Sequence, residues 1–177
     1  MQYRQATSND IVAIAALHAA SWRFAYRGAY SDEYLDGPVE EDRLNVWQER
    51  LTNPSGNQYV VVAEEDGRMA GFACSFGESD ERWGTLLDNL HVLQHWQRGG
   101  IGQRLVSATA KWCAASHPGS GLYLWVLENN SRARRFYEGI GGRAEDAKES
   151  PEPGGGTVLA RRYVWSAEQV AGLASDS

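Results

Sequence analysis

The sequence predicts a single α/β domain in which helices pack on a mixed β-sheet. The chain has 177 residues, which is close to the usual size of one domain. Hydrophobic residues make up 42% of it, the level expected of a globular protein with a real core. Apolar runs of strand length alternate with segments of helical periodicity along the whole chain. This order of elements indicates a sheet covered by helices.

Helical periodicity predicts four helices. The first follows the N-cap residues Thr7-Ser8-Asn9-Asp10, and Ile14, His18 and Trp22 share one of its faces. The last ends where Gly141-Gly142 interrupts the pattern. The predicted helices run from residue 11 through residue 22 and over residues 40–51, 100–116 and 131–140, with a further helical turn at 31–35.

Strands are predicted where short apolar runs lie between turn residues. They cover residues 1–6, 59–63, 69–76, 85–92, 122–127, 143–148 and 157–165. Asp66-Gly67 predicts a tight hairpin turn between the second and third of these strands. The Pro- and Gly-rich residues 149–156 predict a long loop between the last two. We expect the domain, residues 1–165, to be followed by a frayed tail of small and polar residues at 166–177.

Charge and cysteine content argue against several functional classes. The 17 basic and 23 acidic residues give a net charge of −6, which argues against a nucleic-acid partner. The N-terminus has no apolar signal segment, and no apolar run is long enough to span a bilayer. We therefore expect a cytoplasmic protein without a membrane partner. Cys74 and Cys113 fit no metal spacing, and His91 and His95 lack a third ligand, so no metal is expected.

A glycine-rich turn between a strand and a helix is the first candidate binding site. Residues 97–102 read Gln-Arg-Gly-Gly-Ile-Gly. Glycines let a ligand approach the backbone, and a helix N-terminus favours negative charge, so the turn predicts an anion site. The chain lacks the Gly-Lys-Ser/Thr of a P-loop and the third glycine of a dinucleotide fingerprint. The alternative is an ordinary turn before a helix.

The spacing Gln97-x-x-Gly100-x-Gly102 resembles the acyl-CoA pyrophosphate loop of the GNAT superfamily of N-acetyltransferases. A second block, N-x-x-A-x-x-F-Y-E in that superfamily, is matched downstream by Asn130, Ala133, Phe136, Tyr137 and Glu138. The resemblance covers Met1 to Trp165 and is closest to bacterial members that act on small molecules. It implies a mostly antiparallel mixed sheet of about seven strands with about four helices.

The resemblance also implies acetyl transfer from acetyl-CoA to a primary amine, by direct attack through a tetrahedral intermediate. The acceptor would be a small-molecule or peptide amine, and a homodimer remains open. An acyl-CoA site needs local positive charge, and five arginines cluster near the two motifs: Arg98, Arg104, Arg132, Arg134 and Arg135. The implied acyl-CoA contacts are Leu90, His91, Val92, Gln97, Arg98, Gly99, Gly100, Ile101, Gly102, Asn130, Ala133 and Tyr137.

Tyr137 and Asp88 are the candidate catalytic residues. The resemblance places a tyrosine at the position of Tyr137, where its phenol could protonate the thiolate that leaves. The Val92 N–H would polarise the thioester oxygen. Many relatives carry a Glu at the position of Leu86, and Asp88 is the nearest carboxylate on the same strand face. Asp88 could act as the general base or serve only structure. His91 is a further candidate base, which strict alternation places on the opposite face.

An aromatic group on the first helix is the candidate acceptor site. The resemblance implies that the first two helices cover this site, so Trp22, Tyr26 and Tyr30 could line an amine pocket. The alternative for these side chains is core packing. For the whole protein, the alternative to an enzyme is a non-catalytic acyl-CoA-binding or sensing module, because the acid expected at Leu86 is missing. A nucleotide-binding regulator is a more distant alternative.

Overall fold

One seven-stranded sheet forms the centre of the protein in a computed structural model that describes residues 1–175. The strands are β1 (Gln2–Gln5), β2 (Gln58–Glu65), β3 (Arg68–Asp80), β4 (Gly84–Val92), β5 (Leu122–Leu127), β6 (Arg143–Pro151) and β7 (Thr157–Trp165). The helices are α1 (Ile11–Ala25), α2 (Asp32–Asp36), α3 (Val39–Thr52), α4 (Ile101–Ser116), α5 (Ser131–Gly139) and α6 (Ala167–Ser175). The seven predicted strands and four long predicted helices are confirmed.

The strand order is β1-β2-β3-β4-β5-β7-β6, and every neighbouring pair except one is antiparallel. Asp66 and Gly67 both have positive φ values, 51° and 72°, which confirms the predicted hairpin turn between β2 and β3. The exception is the parallel pair β4 and β5, which align only at Thr85 with Leu122 and at Leu86 with Tyr123. Beyond Leu86 the two strands are no longer paired.

Helices cover both faces of the sheet. On one face α1 and α3 pack on β2 and β3, where Trp47 of α3 and Phe72 of β3 are fully buried in edge-to-face contact at 5.0 Å. On the other face α4, α5 and α6 enclose a larger core that includes Leu105 and Leu124. The sheet is therefore the middle layer, and the open gap between β4 and β5 connects its two sides.

The structure has two helices more than the four long ones predicted. The helical turn expected at 31–35 is the short helix α2, capped by the Ser31 hydroxyl, which accepts from the Tyr34 N–H. The prediction of a frayed tail was wrong for residues up to Ser175. Val170 and Leu173 of α6 are buried against the core that α4 covers, so apolar burial holds this segment in place. The remainder of the predicted tail, 176–177, lies outside the described residues.

Candidate functional site

A cleft of about 1090 Å³ occupies the gap between β4 and β5. Its walls include residues 87–92 of β4 and residues 124–127 of β5, together with the start of α4, α5 and parts of α1 and α3. Every predicted site residue lines this cleft except Gly99, whose neighbours Arg98 and Gly100 do line it. The fold thus brings together segments that are far apart in the sequence.

The β4 edge of the cleft offers unpaired backbone groups. N–H groups point alternately to the two sides of a strand. The N–H of Leu93, just after β4, donates to Ala70 O on the β3 side at 2.9 Å, so the Val92 N–H points away from β3. The Val92 carbonyl also faces the cleft, where it accepts from Gln97 Nε2 at 2.8 Å. The Val92 N–H therefore faces the cleft, and its role as an oxyanion donor stays a prediction.

A β-bulge at Asp88 changes which side chains reach the cleft. Cys74 pairs with Asn89 and Ser75 with Leu87, so Asp88 is the extra residue of β4. The bulge interrupts the alternation of faces, and Asp88, Asn89 and His91 all line the cleft. The prediction that His91 lies on the opposite face from Asp88 was wrong, because it assumed an uninterrupted strand.

The loop before α4 has the geometry of an anion-binding turn. Arg98 and Gly100 adopt positive φ values of 70° and 79°, and α4 begins at Ile101 without a side-chain cap. The first N–H groups of the helix are therefore left for an anion, which the helix dipole also favours. Gln97 has a positioning role, because its side-chain N–H ties this loop to β4.

Two glycines of this loop serve different purposes. At Gly100 a Cβ atom would meet nothing within 4 Å, but the positive φ favours glycine and the space above the backbone stays open. At Gly102 a Cβ atom would lie 3.3 Å from the Phe136 ring of α5. Gly102 therefore allows α4 and α5 to pack closely, which the sequence argument about phosphate had not considered.

Two of the five arginines near the motifs line the cleft. These are Arg98 and Arg132, and neither is paired with a carboxylate within residues 1–175. Arg134 instead donates to Glu128 Oε1 at 3.0 Å and to the Tyr163 hydroxyl at 3.3 Å. Arg134 therefore holds α5 to its neighbours and does not line the cleft.

The start of α5 carries Asn130 and Ala133 on the cleft wall. Asn130 is the N-cap of this helix, and its Oδ1 accepts from the Ala133 N–H at 3.1 Å. The cap leaves the Asn130 amide N–H groups as donors. Contacts of both residues with an acyl-CoA remain a prediction.

Tyr137 lies further along α5 and is 8% exposed, yet it lines the cleft. Its ring packs against Phe136 and Trp165 at centroid distances of 5.3 and 6.1 Å. Burial raises the pKa of Tyr137 well above its ordinary value, so the phenol stays protonated at neutral pH. A protonated hydroxyl at this place can donate a proton into the cleft.

Asp88 is held by an arginine that the sequence argument missed. Arg50 of α3 donates through Nη1 to Asp88 Oδ2 at 2.7 Å and to Asn89 Oδ1 at 2.9 Å. Its guanidinium also lies 5.4 Å from the Trp47 ring centroid, which fixes it from the other side. Asp88 thus has one oxygen in an ion pair and one that remains available to a ligand.

His91 contacts two residues of α1, Ser21 and His18. Its Nδ1 is 2.8 Å from the Ser21 hydroxyl, and its ring centroid is 4.5 Å from that of His18. Burial and, to a lesser degree, the nearby Arg43 lower the pKa of His91 to about 3. The His18 Nδ1 accepts from Trp47 Nε1 at 2.9 Å, and burial lowers the pKa of His18 as well. Both imidazoles are therefore neutral at pH 7.

The predicted aromatic group forms one wall of the cleft. The Trp22 ring lies 5.5 Å from that of Tyr26 and 5.3 Å from that of Tyr30, both partly buried. All three line the cleft, and Trp22 also belongs to the small core between α1, α2 and α3. Both sequence interpretations of this group, wall and core, therefore describe part of what it does.

Ser21, Arg43 and Arg50 line the cleft and were missed by the sequence argument. Arg43, Trp47 and Arg50 follow one another at spacings of four and three, which places them on one face of α3. Since Trp47 points into the core, this spacing was the signal that the two arginines could also face inward.

Residues 1–175 hold neither a metal-binding cluster nor a membrane-spanning helix. Among residues 1–175 no three His, Cys, Asp or Glu side chains come together in a group suited to a metal ion. Within that range no helix has both the length and the apolar character needed to cross a membrane.

Comparisons with known proteins agree with this geometry. Residues 15–141 match the acetyltransferase (GNAT) family. A probable N-acetyltransferase of Mycobacterium tuberculosis is 31% identical over 141 residues, covering 78% of this chain and 77% of its own. Among solved structures, the PaiA N-acetyltransferase of Thermoplasma acidophilum in complex with coenzyme A has a TM-score of 0.71 at 20% identity, covering 93% of this chain and 98% of its own. The YncA acetyltransferase of Salmonella typhimurium, solved with acetyl-CoA, has a TM-score of 0.67 at 18% identity, with 94% of both chains covered.

Proposed function

The chain belongs to the GNAT family of acetyltransferases, and we propose that it transfers the acetyl group of acetyl-CoA to a primary amine. The observation that carries the proposal is the gap between β4 and β5, whose unpaired strand edge, cationic loop and buried tyrosine line one cleft. Acetyl-CoA requires these three groups: the strand edge for its thioester, the cationic loop for its phosphates and the tyrosine for its leaving sulfur. The solved neighbours that hold coenzyme A or acetyl-CoA support the choice of donor.

The residues present fit the donor. The uncapped N-terminus of α4 supplies N–H groups for a pyrophosphate, and Arg98 and Arg132 add positive charge beside it. The open space at Gly100 gives phosphate oxygens access to the backbone. Acetyl-CoA supplies an activated thioester carbonyl, and the free β4 edge at Leu90 and Val92 offers backbone groups to its extended arm.

Tyr137 acts as the general acid in this proposal. The amine nitrogen bonds to the thioester carbonyl carbon, and the carbon–sulfur bond breaks. The Tyr137 hydroxyl gives its proton to the departing sulfur, and its raised pKa keeps that proton in place beforehand. The Val92 N–H donates to the carbonyl oxygen while negative charge builds up there. An arriving ammonium group loses one proton before it attacks and a second after the carbon–nitrogen bond has formed; one of these protons is released to solvent and the other restores the Tyr137 hydroxyl.

Asp88 is the proposed base, acting directly or through a water molecule. Arg50 engages Oδ2 of Asp88, so Oδ1 is the oxygen that faces the incoming ammonium group. His91 is the second candidate, because its neutral ring lines the same cleft. Burial lowers the pKa of His91 to about 3, so its ring is a poor proton acceptor at neutral pH.

A thiol-release assay tests the proposal. The protein is mixed with acetyl-CoA and a panel of amines, and free coenzyme A is followed against a sample without amine. We expect release that depends on an amine, together with an acetylated product by mass spectrometry. Tight binding of acetyl-CoA without turnover of any amine would favour the non-catalytic binding module instead. The two buried, unpaired cysteines fit a reducing compartment, so we include a cytoplasmic location in the proposal.

A further inference from the structure

The charges that line the cleft are unusual for this chain. The protein carries a net charge of −6, yet among residues 1–175 four arginines and a single carboxylate line the cleft. The carboxylate is Asp88, and it is already paired with Arg50. Arg98 lies in the phosphate loop, residues 97–102, and Arg132 lies at the start of α5. Both would bind the phosphates of the proposed donor. The remaining cation, Arg43, lies in the part of the cleft formed by α1 and α3.

Neighbouring side chains hold the Arg43 guanidinium in place, and not all of its N–H donors have a partner among the described residues. Its guanidinium lies 4.2 Å from the Trp22 ring centroid, and its side chain is 13% exposed. One nitrogen, Nη2, donates to Asp42 Oδ2 at 2.9 Å, but Asp42 does not line the cleft. The buried Nε–H has no hydrogen-bond acceptor among the described residues. Because this Nε is itself buried, a ligand in the cleft would reach the guanidinium at the part of the side chain that stays exposed.

Two other carboxylates near this region, those of Asp42 and Glu152, hydrogen-bond to groups of the protein itself. Asp42 also accepts from the Tyr34 hydroxyl. Glu152, in the loop after β6, accepts from the Ser31 N–H at 3.2 Å and from the Gly156 N–H at 3.1 Å. Neither lines the cleft, so among residues 1–175 Asp88 is the one carboxylate on its wall, while Asp42 pairs with Arg43 from outside the lining.

We propose that the acceptor is a primary amine that also carries a carboxylate, and that Arg43 binds this carboxylate. The inference rests on the proposed function. The acceptor amine then points towards Asp88 and the thioester, while its carboxylate pairs with the guanidinium against Trp22. Amino acids and short peptides have this chemistry. A polyamine does not, because its second cation would face Arg43 and Arg50.

Matched acceptors that differ only in the carboxylate test the inference. Lysine is compared with cadaverine, and phenylalanine with phenethylamine, as acceptors in the thiol-release assay. We expect a kcat/KM at least about tenfold higher for the carboxylate member of one pair or both, from a charge-assisted pair with Arg43. A dipeptide with a free C-terminus then distinguishes amino acids from peptides.

Substitution of Arg43 assigns the preference to this residue. Arg43→Gln should remove the preference by raising KM for the carboxylate member much more than for the decarboxylated one. Arg43→Lys should keep part of the preference, because it retains the charge. Arg23→Gln is the matched control, since Arg23 pairs with Glu40 outside the cleft. Melting temperatures of all variants identify any that fail to fold. If Arg43→Gln fails to fold, the acceptor preference of Arg43→Lys is compared with that of the wild type instead.

Two results overturn the inference while leaving the proposed function in place. The first is a wild-type protein that acetylates cadaverine and phenethylamine as well as their carboxylate partners. The second is an Arg43→Gln variant that folds and keeps the preference. A protein that binds acetyl-CoA but acetylates no amine at all contradicts the proposed function itself, and the inference fails with it.

Discussion

The two halves of the cleft are built from different groups. The half formed by β4, the loop before α4 and the start of α5 presents mainly backbone N–H and C=O groups, with few side chains committed elsewhere. The other half is formed by α1, α3 and the β4 side chains that contact them, and its side chains already hydrogen-bond one another, such as Arg50 with Asp88 and Ser21 with His91. Residues of the second half can therefore be substituted without altering the backbone groups that the first half offers to a ligand.

The difference has a chemical reason. A donor with phosphates and an extended arm can be held by a strand edge and a helix N-terminus, which any sequence can supply once the fold exists. An acceptor is recognised by charge and shape, which only particular side chains provide. Changes in the first half should therefore alter donor binding, and changes in the second half should alter acceptor use and the pH response.

Tyr137, where the two halves meet, should give the largest effect. Tyr137→Phe removes the hydroxyl and keeps the ring packed against Trp165. We expect kcat to fall by about 10²–10⁴-fold, the usual loss for a general acid, with little change in acetyl-CoA affinity. Stopped-flow or steady-state kinetics together with calorimetric binding measure the two quantities.

Tyr163→Phe is the matched control for that variant. Tyr163 is a second buried tyrosine of the same core, but its hydroxyl donates to Glu138 Oε1 at 2.5 Å and it does not line the cleft. It should lower the melting temperature and leave the rate intact. Equal rates for wild type and Tyr137→Phe would remove Tyr137 from the mechanism.

The first half of the cleft could be predicted from sequence because its signals are local. Residues 97–102 hold their spacing within six positions, and the positive φ of Gly100 follows from glycine's conformational freedom. The family resemblance implied a mostly antiparallel sheet of about seven strands, but the strand order and the gap came from the structure. Tyr137 and Asn130 were identified by a motif that lies within one turn and one helix.

The second half was only partly predictable, because its contacts join distant residues. Ser21 and His91 are 70 positions apart, and Arg50 and Asp88 are 38 apart. The bulge at Asp88 has no glycine or proline to announce it, so alternation misplaced His91. The tail after Trp165 was misjudged for a related reason. Most residues of this segment are small or polar, which indicated a frayed end. Val170 and Leu173 nevertheless pack on a core that forms only in the folded chain.

A charge placed in the phosphate loop should break the first half alone. In Gly100→Glu a carboxylate occupies the open space where an anion is expected, so acetyl-CoA affinity should fall by at least about 100-fold. Gly100→Ala is the matched control for the strain of a positive φ. The alanine variant should cost about 1 kcal/mol of stability and little affinity. Calorimetry and circular dichroism measure both, and unchanged affinity in a folded Gly100→Glu variant would contradict the loop assignment.

A histidine in the second half should set part of the response to acid. The pKa of His91, about 3 in the fold, lies below its unfolded value near 6.5, so the unfolded chain binds the extra proton first. Stability from His91 is complete above about pH 6.5 and is lost as the pH falls towards 3. We expect the wild type to lose about 2 kcal/mol more than His91→Gln between pH 7 and pH 5 in urea unfolding.

His95→Gln is the control for that measurement, because His95 is exposed on the turn before the phosphate loop. It should keep the wild-type pH dependence. His18 remains in both variants and contributes with the same sign, so His91→Gln should reduce the dependence without abolishing it. Parallel curves for the wild type and His91→Gln would mean that His91 is not neutralised by the fold.

The smallest expected effect concerns the base, Asp88. Asp88→Asn keeps a group that can accept from Arg50 but removes the carboxylate. Because some free amine is present in solution and can attack without a base, we expect a loss of about tenfold at neutral pH, below the usual range for a general base. The loss should shrink as the pH rises and more of the amine arrives deprotonated. Asn89→Ala is the matched control, since it removes the other acceptor of the same Arg50 nitrogen and keeps the carboxylate. Both variants could instead lower the melting temperature and give pH–rate profiles parallel to that of the wild type. Asp88 would then serve only to hold Arg50, and the second half of the cleft would position the acceptor without taking its proton.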